Sequence, residues 1–188
     1  MKRISFLAVV IPGVLAGLLA FGGRGFAEES IYGFKMRDID GKEVALSSYA
    51  GKALVIVNTA SKCGFTGQYA SLEKLYQRYR DKGLRILAFP ANNFREQEPG
   101  TNAEIKQFCD LRFKITFDLF SKIDVTGSGA DPLYVYLTGS TDFKGPVTWN
   151  FNKFVINPEG KVIARFDSPV DPLSPEFVHT IEAALPKA

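Results

Sequence analysis

Two cysteines, Cys63 and Cys109, one histidine, His179, and one tryptophan, Trp149, stand out in a chain of 188 residues. A thiol can serve as nucleophile, redox centre or metal ligand, and its working form is the thiolate. A single imidazole removes most metal-centre and Ser-His-Asp arrangements, so no bound cofactor or metal is expected and the chemistry falls to the thiols. Two cysteines are also too few for a disulfide-stapled scaffold, and a chain of this length buries a core without one.

Cys63 lies in the segment VNTASKCGFT, between the β-branched run LVIVNT at residues 54–59 and a helical pattern that begins at Gln68. In an open α/β sheet, ligands bind in the crevice at the carboxyl end of a strand, and the positive end of the following helix favours an anion. A reactive Cys63 is therefore favoured over an inert one. Lys62 beside it adds positive charge.

The elements that must hold this turn follow from periodicity. Residues 54–59 and LRILAFP at 84–90 read as strands buried on both faces. Between them, Leu72, Leu75, Tyr76 and Tyr79 mark one helical face that stops at Gly83, which gives a parallel strand pair with a crossover helix. FKMRDIDGKEVAL around Asp40-Gly41 reads as an N-terminal β-hairpin, and a second hairpin is expected at 151–157 and 161–166 around Asn157-Pro158-Glu159-Gly160. Helices are expected at about 102–113 and after Ser174-Pro175, while 118–125 gives no clear pattern. Together these predict an α/β, thioredoxin-like fold, with a mixed central sheet flanked by helices.

Three blocks, VNTASKCGFT, FPANNFREQEPG and WNFNKFVINPEGKVIARF, resemble in order and spacing the signature segments of the glutathione peroxidase family. The resemblance covers residues 31–185. It implies a thiol-dependent peroxidase that reduces hydrogen peroxide and organic or lipid hydroperoxides through a sulfenic acid. Glutathione or a thioredoxin-like protein is then the reductant, used as a co-substrate. The family's peroxidatic position falls on Cys63, and its partners fall on Gln97, Trp149 and Asn150, uncharged groups able to donate hydrogen bonds to a departing oxygen. Without the three blocks in register, Trp149 reads as core filler, Asn150 as a turn residue and Gln97 as a loop amide.

A second thiol must restore the oxidised Cys63, and some relatives carry a resolving cysteine in the helix after the Gln loop. Cys109 lies in that helix and is a candidate. The family's resolving position nevertheless aligns with Asp110, one residue later, and Ile105, Phe108 and Cys109 share the spacing of an apolar helix face where a Cys simply packs. Both readings stay open at this point. FPANNF also departs from the common F-P-C-N-Q-F, with Ala91 and Asn93 in place of Cys and Gln.

Rival thiol chemistries lack specific residues. Thr66 occupies the position of the second Cys in C-x-x-C, Ala60 stands where a peroxiredoxin carries Thr, and Gly67 replaces the second Cys of a copper-binding C-x-x-x-C. A peroxide sensor that relays oxidation to a partner protein is the alternative from another class. His179 has no assigned role.

The formal charge of +3 belongs to the N-terminus. Residues 1–27 hold Lys2, Arg3 and Arg24 and no acid, and removing these three leaves 20 basic and 20 acidic side chains. Nucleic acid is therefore not an expected partner. A basic start, an uncharged apolar stretch at 4–21 and Gly25-Phe26-Ala27 read as an export signal cleaved after Ala27, which leaves a single domain at 28–188. Periplasmic or secreted localisation without stable membrane insertion is expected, with an uncleaved anchor as the alternative. The short stretch between Val125 and Trp149 resembles the family's monomeric members, so a monomer is expected.

Overall fold

The computed structural model describes residues 30–187, so the leader expected at 1–27 lies outside the described residues. A five-stranded mixed sheet organises the chain. Its order is β5 (Asp118–Leu119), β4 (Leu84–Pro90), β3 (Ala53–Thr59), β6 (Lys153–Ile156) and β7 (Val162–Phe166). β3 pairs in parallel with β4 and antiparallel with β6. All seven β3 residues are buried, which is why the strand reads as a continuous run rather than an alternation. A separate antiparallel pair, β1 (Lys35–Arg37) and β2 (Glu43–Ala45), forms the expected N-terminal hairpin.

Two cores sandwich the sheet. On one face α1 (Gln68–Tyr79), α2 (Asn102–Arg112) and α4 (Pro175–Ala184) pack Leu72, Leu75, Ile105, Phe177 and Ile181 against Val55, Val57, Ile86 and Val155. On the other face, the N-terminal segment and α3 (Pro132–Gly139) pack Ile31, Leu46, Leu133 and Leu137 against Leu54, Ile56, Phe89 and Phe154.

Local signals account for the helix ends. α1 passes through a single 3-10 turn, Arg80–Lys82, into Gly83 at φ 99°, where a Cβ would stand 2.6 Å from Pro186. Only glycine suits both the conformation and the space. α2 starts on a reciprocal capping box, Thr101 with Glu104, and α4 starts on Ser174 followed by Pro175. Residue periodicity does not mark α3 (Pro132–Gly139). Its residues LYVYL are aliphatic and aromatic with no polar face, yet the Asp131 side chain accepts from the Leu133 amide and Pro132 sits in the first turn. β5 was equally invisible, because two residues carry no periodicity.

Candidate active site

Cys63 stands four residues beyond the end of β3 and five before α1. The residue is buried with 8% of its surface exposed. The turn is closed by Thr66. Its Oγ1 accepts from the Cys63 amide at 3.0 Å, and its hydroxyl lies within 2.7 Å of the Cys63 carbonyl and 2.9 Å of that of Ala60. A hydroxyl that fixes the turn thus fills the position a C-x-x-C motif would give to sulfur. The Phe65 amide donates to Cys63 Sγ at 3.4 Å, placing a backbone dipole where negative charge on sulfur is stabilised.

Two other segments converge on this turn. The loop after β4 carries Gln97, half-buried, whose carbonyl accepts from the Lys62 amide at 3.0 Å. The loop before β6 carries Trp149, half-buried against the core that contains Cys63, and Asn150, fully buried. Asn150 Nδ2 donates to Gln97 Oε1 at 3.0 Å. With its oxygen so occupied, the Gln97 amide has its NH2 group left to donate. Trp149 packs on Phe94 with ring centroids 5.7 Å apart, and the Arg95 guanidinium lies 5.4 Å from its ring. Gln97, Trp149 and Asn150 therefore meet in one place, beside the Cys63 turn.

Backbone strain flanks these residues. Arg95 and Glu96, just before Gln97, have φ of 52° and 49°, and Phe151, just after Asn150, has φ of 65°. Non-glycine residues in this region persist only where their surroundings over-determine them. For Phe151 those surroundings are Asn58 and Lys153. The Asn58 carbonyl accepts from the Phe151 amide at 2.6 Å, its Nδ2 donates to the Trp149 carbonyl at 3.1 Å, and its Oδ1 accepts from the Asn152 amide at 3.1 Å. Lys153, wholly buried, donates from Nζ to the carbonyls of Phe151 and Val170, each at 2.8 Å. Burial pushes this amine down to about 8, with Asp171 and Asp167 pulling the other way. Sequence reasoning passed over both residues, although a lone Asn in an otherwise apolar strand was a signal.

Cys109 is placed quite differently. It is fully buried within α2, beside Ile105 in the core, and burial pushes its thiol up to about 12. Asp110, where the resolving-cysteine pattern falls, is exposed. Both cysteines are free thiols. His179 is exposed on α4. Among the described residues no group of three His, Cys, Asp or Glu side chains is arranged to hold a metal, and no helix is long and apolar enough to cross a membrane.

Comparison with known proteins identifies the family of the chain. The glutathione peroxidase family model matches residues 31–138, a span that includes Cys63 and Gln97 and stops before Trp149. Glutathione peroxidase homolog BsaA of Bacillus subtilis is 46% identical over 81% of this chain and 99% of its own. Hydroperoxy fatty acid reductase gpx1 of Synechocystis is 46% identical over 78% and 91%. Glutathione peroxidase-like peroxiredoxin 2 of Saccharomyces cerevisiae is 47% identical over 77% and 91%. Among solved structures, apo Trgpx superposes with a TM-score of 0.66 at 38% identity, covering 83% of this chain and 95% of that one. A thioredoxin-family thiol:disulfide interchange protein of Chlorobium tepidum superposes at 0.61 with 18% identity, over 80% of this chain and 92% of that one, a likeness of fold alone. The chain belongs to the glutathione peroxidase family, a thioredoxin-fold enzyme whose reaction is thiol-dependent reduction of hydroperoxides.

Proposed function

We propose that Cys63 is the peroxidatic thiol and that Gln97, Trp149 and Asn150 donate hydrogen bonds to the oxygen that departs. The supporting observation is the convergence of three distant segments, tied by the Lys62 amide to the Gln97 carbonyl and by Asn150 to the Gln97 side chain. In the first step the Cys63 thiolate attacks one peroxide oxygen, the O–O bond breaks, and the remaining oxygen leaves as water or alcohol after taking a proton. Sulfur is oxidised to sulfenic acid and the peroxide is reduced. Preorganised donors matter most at the departing oxygen, where charge develops.

Regeneration proceeds by attack of an external thiol on the sulfenic acid. This forms a mixed disulfide and releases water, and a second thiolate then frees Cys63 as a disulfide of the reductant leaves. Cys109 acts as a packing residue in this scheme. A fully buried, neutral thiol inside a helix is a poor attacking group. Disulfide formation with Cys63 also requires Cα atoms within about 7 Å.

The substrates include lipid hydroperoxides as well as hydrogen peroxide, in line with the relative named for hydroperoxy fatty acids. The protein acts as a monomer after export and cleavage behind Ala27. Support for export comes from the basic start and the apolar stretch at 4–21.

Steady-state peroxide consumption by wild type and Cys63→Ser, with glutathione and with a thioredoxin system, tests the assignment. Loss of turnover in the folded variant supports it, and retained turnover overturns it. N-terminal sequencing of the mature protein tests export, with Met1 on a membrane-bound product as the contrary result.

A further inference from the structure

One buried acid near the site has no part in the scheme above. Glu98 is 1% exposed and directly follows Gln97. Ser61 Oγ donates to its Oε2 at 3.1 Å, and its own amide donates to Asn92 Oδ1 at 2.8 Å. One residue along, the Lys62 amide donates to the Gln97 carbonyl at 3.0 Å. These are two adjacent rungs, Ser61–Glu98 and Lys62–Gln97, between the loop that carries Cys63 and the loop that carries Gln97. From the far side Lys122 Nζ donates to the carbonyls of Glu98 and Gly100 at 3.2 and 2.6 Å.

Packing alone does not hold this junction. A cavity of about 370 Å³ opens beside it, lined by Ser61, Lys62, Glu98, Glu104, Ile105 and Phe108. The loop also carries the left-handed residues Arg95 and Glu96 immediately before Gln97, a conformation that relaxes unless its neighbours oppose it. The polar rungs thus set where Gln97 stands together with Asn150, which donates to the Gln97 side chain, and the Phe94 carbonyl, which accepts from the Gln97 backbone amide.

We propose that Glu98 is a positioning residue for peroxide reduction: by holding Ser61, its carboxyl fixes the Gln97 amide relative to the Cys63 sulfur. The proposal rests on the roles assigned above to Cys63 and Gln97. Burial raises the Glu98 carboxyl above the ordinary carboxylate range, against the pull of Ser61, Lys122 and Lys62. Glu98→Gln keeps an oxygen acceptor of the same shape in reach of Ser61 Oγ.

The test uses Glu98→Leu, which keeps bulk without an acceptor, Glu98→Gln, which keeps the acceptor, and Ser61→Ala, which removes the donor and stands in if Glu98→Leu does not fold. Two rates are read on each. One is oxidation of Cys63 by hydrogen peroxide, followed through the fluorescence of Trp149, the sole tryptophan. The other is alkylation of Cys63 by iodoacetamide, which needs the thiol and access to it but no donor for a departing oxygen. Glu98→Leu should slow oxidation about 10- to 100-fold, as small misplacements of reacting groups do, and leave alkylation within about twofold. Glu98→Gln should restore oxidation to within about threefold of wild type. Ser61→Ala should slow it in the same sense and add little to Glu98→Leu, as partners in one interaction do. Wild-type oxidation in Glu98→Leu, a parallel fall of alkylation, or failure of Glu98→Gln to rescue overturns the proposal. Peroxide turnover by Cys63→Ser, measured alongside, instead overturns the reading of the site on which it rests.

Discussion

Cys63 and Cys109 belong to the same hydrophobic core, yet their surroundings give the two sulfurs opposite chemistry. Cys63 sits in a strand-to-helix turn where the Phe65 amide faces its sulfur and where 8% of the residue meets solvent. Cys109 sits within a helix, its backbone committed to the helical ladder and its sulfur buried in the core beside the Tyr69 hydroxyl. Burial is nearly equal in the two. What separates them is the backbone: a turn exposes unspent amides to a thiol, whereas a helix interior has none to offer.

Variants at the two positions should therefore differ in kind. Cys63→Ser should lower kcat/KM for peroxide by at least about 10³-fold, since loss of a nucleophile removes the reaction path itself. An unchanged circular dichroism spectrum would show that the fold survives. Next in size are the donors. Trp149→Phe or Gln97→Ala should slow Cys63 oxidation by about 10²-fold, the cost typical of one preorganised donor, read by competition kinetics in both because Trp149→Phe removes the sole tryptophan. Asn150→Ala should resemble Gln97→Ala, because Asn150 orients the Gln97 amide.

Cys109→Ala should keep turnover with a small thiol within about twofold and lower stability by about 1 kcal/mol, the scale of removing one heavy atom from a packed core. Chemical denaturation reads the second effect. The smallest difference is a pH dependence. With its thiol raised to about 12, Cys109 stays neutral in the folded protein while the unfolded chain ionises it from about pH 8.5 upward. Its contribution is complete below the unfolded value and fades as pH rises toward 12. Wild type should accordingly lose stability relative to Cys109→Ala from pH 8 to pH 10.5, falling below the variant at the top of that range. A wild type that gains on the variant as pH rises would contradict the buried, neutral thiol.

The same contrast explains which features the residues disclose. β3 and β4 were legible because a strand covered on both faces is apolar throughout. The start of α4 was legible from Ser174 with Pro175, whereas the Thr101–Glu104 box that starts α2 is shown by the structure. α3 was missed, since Leu133, Tyr134, Tyr136 and Leu137 bury most of its surface and no polar stripe remains to show a period. The Asp131-Pro132 cap was its only local mark. Cys63 was legible from its place after a strand. Gln97, Trp149 and Asn150 emerged only through three blocks in register, because a contact between residues 53 apart leaves no local trace. Asn58, Glu98 and Lys153 escaped notice for a related reason: whether a polar side chain is buried depends on partners that the fold alone supplies.

One measurement bears most directly on the assignment of the two sulfurs. Reduced protein is treated with one equivalent of hydrogen peroxide in the presence of a sulfenic-acid trap, and the products are mapped by mass spectrometry. The account predicts the trap on Cys63 alone, with Cys109 recovered as a free thiol. A trap on Cys109, or a Cys63–Cys109 disulfide, would contradict it.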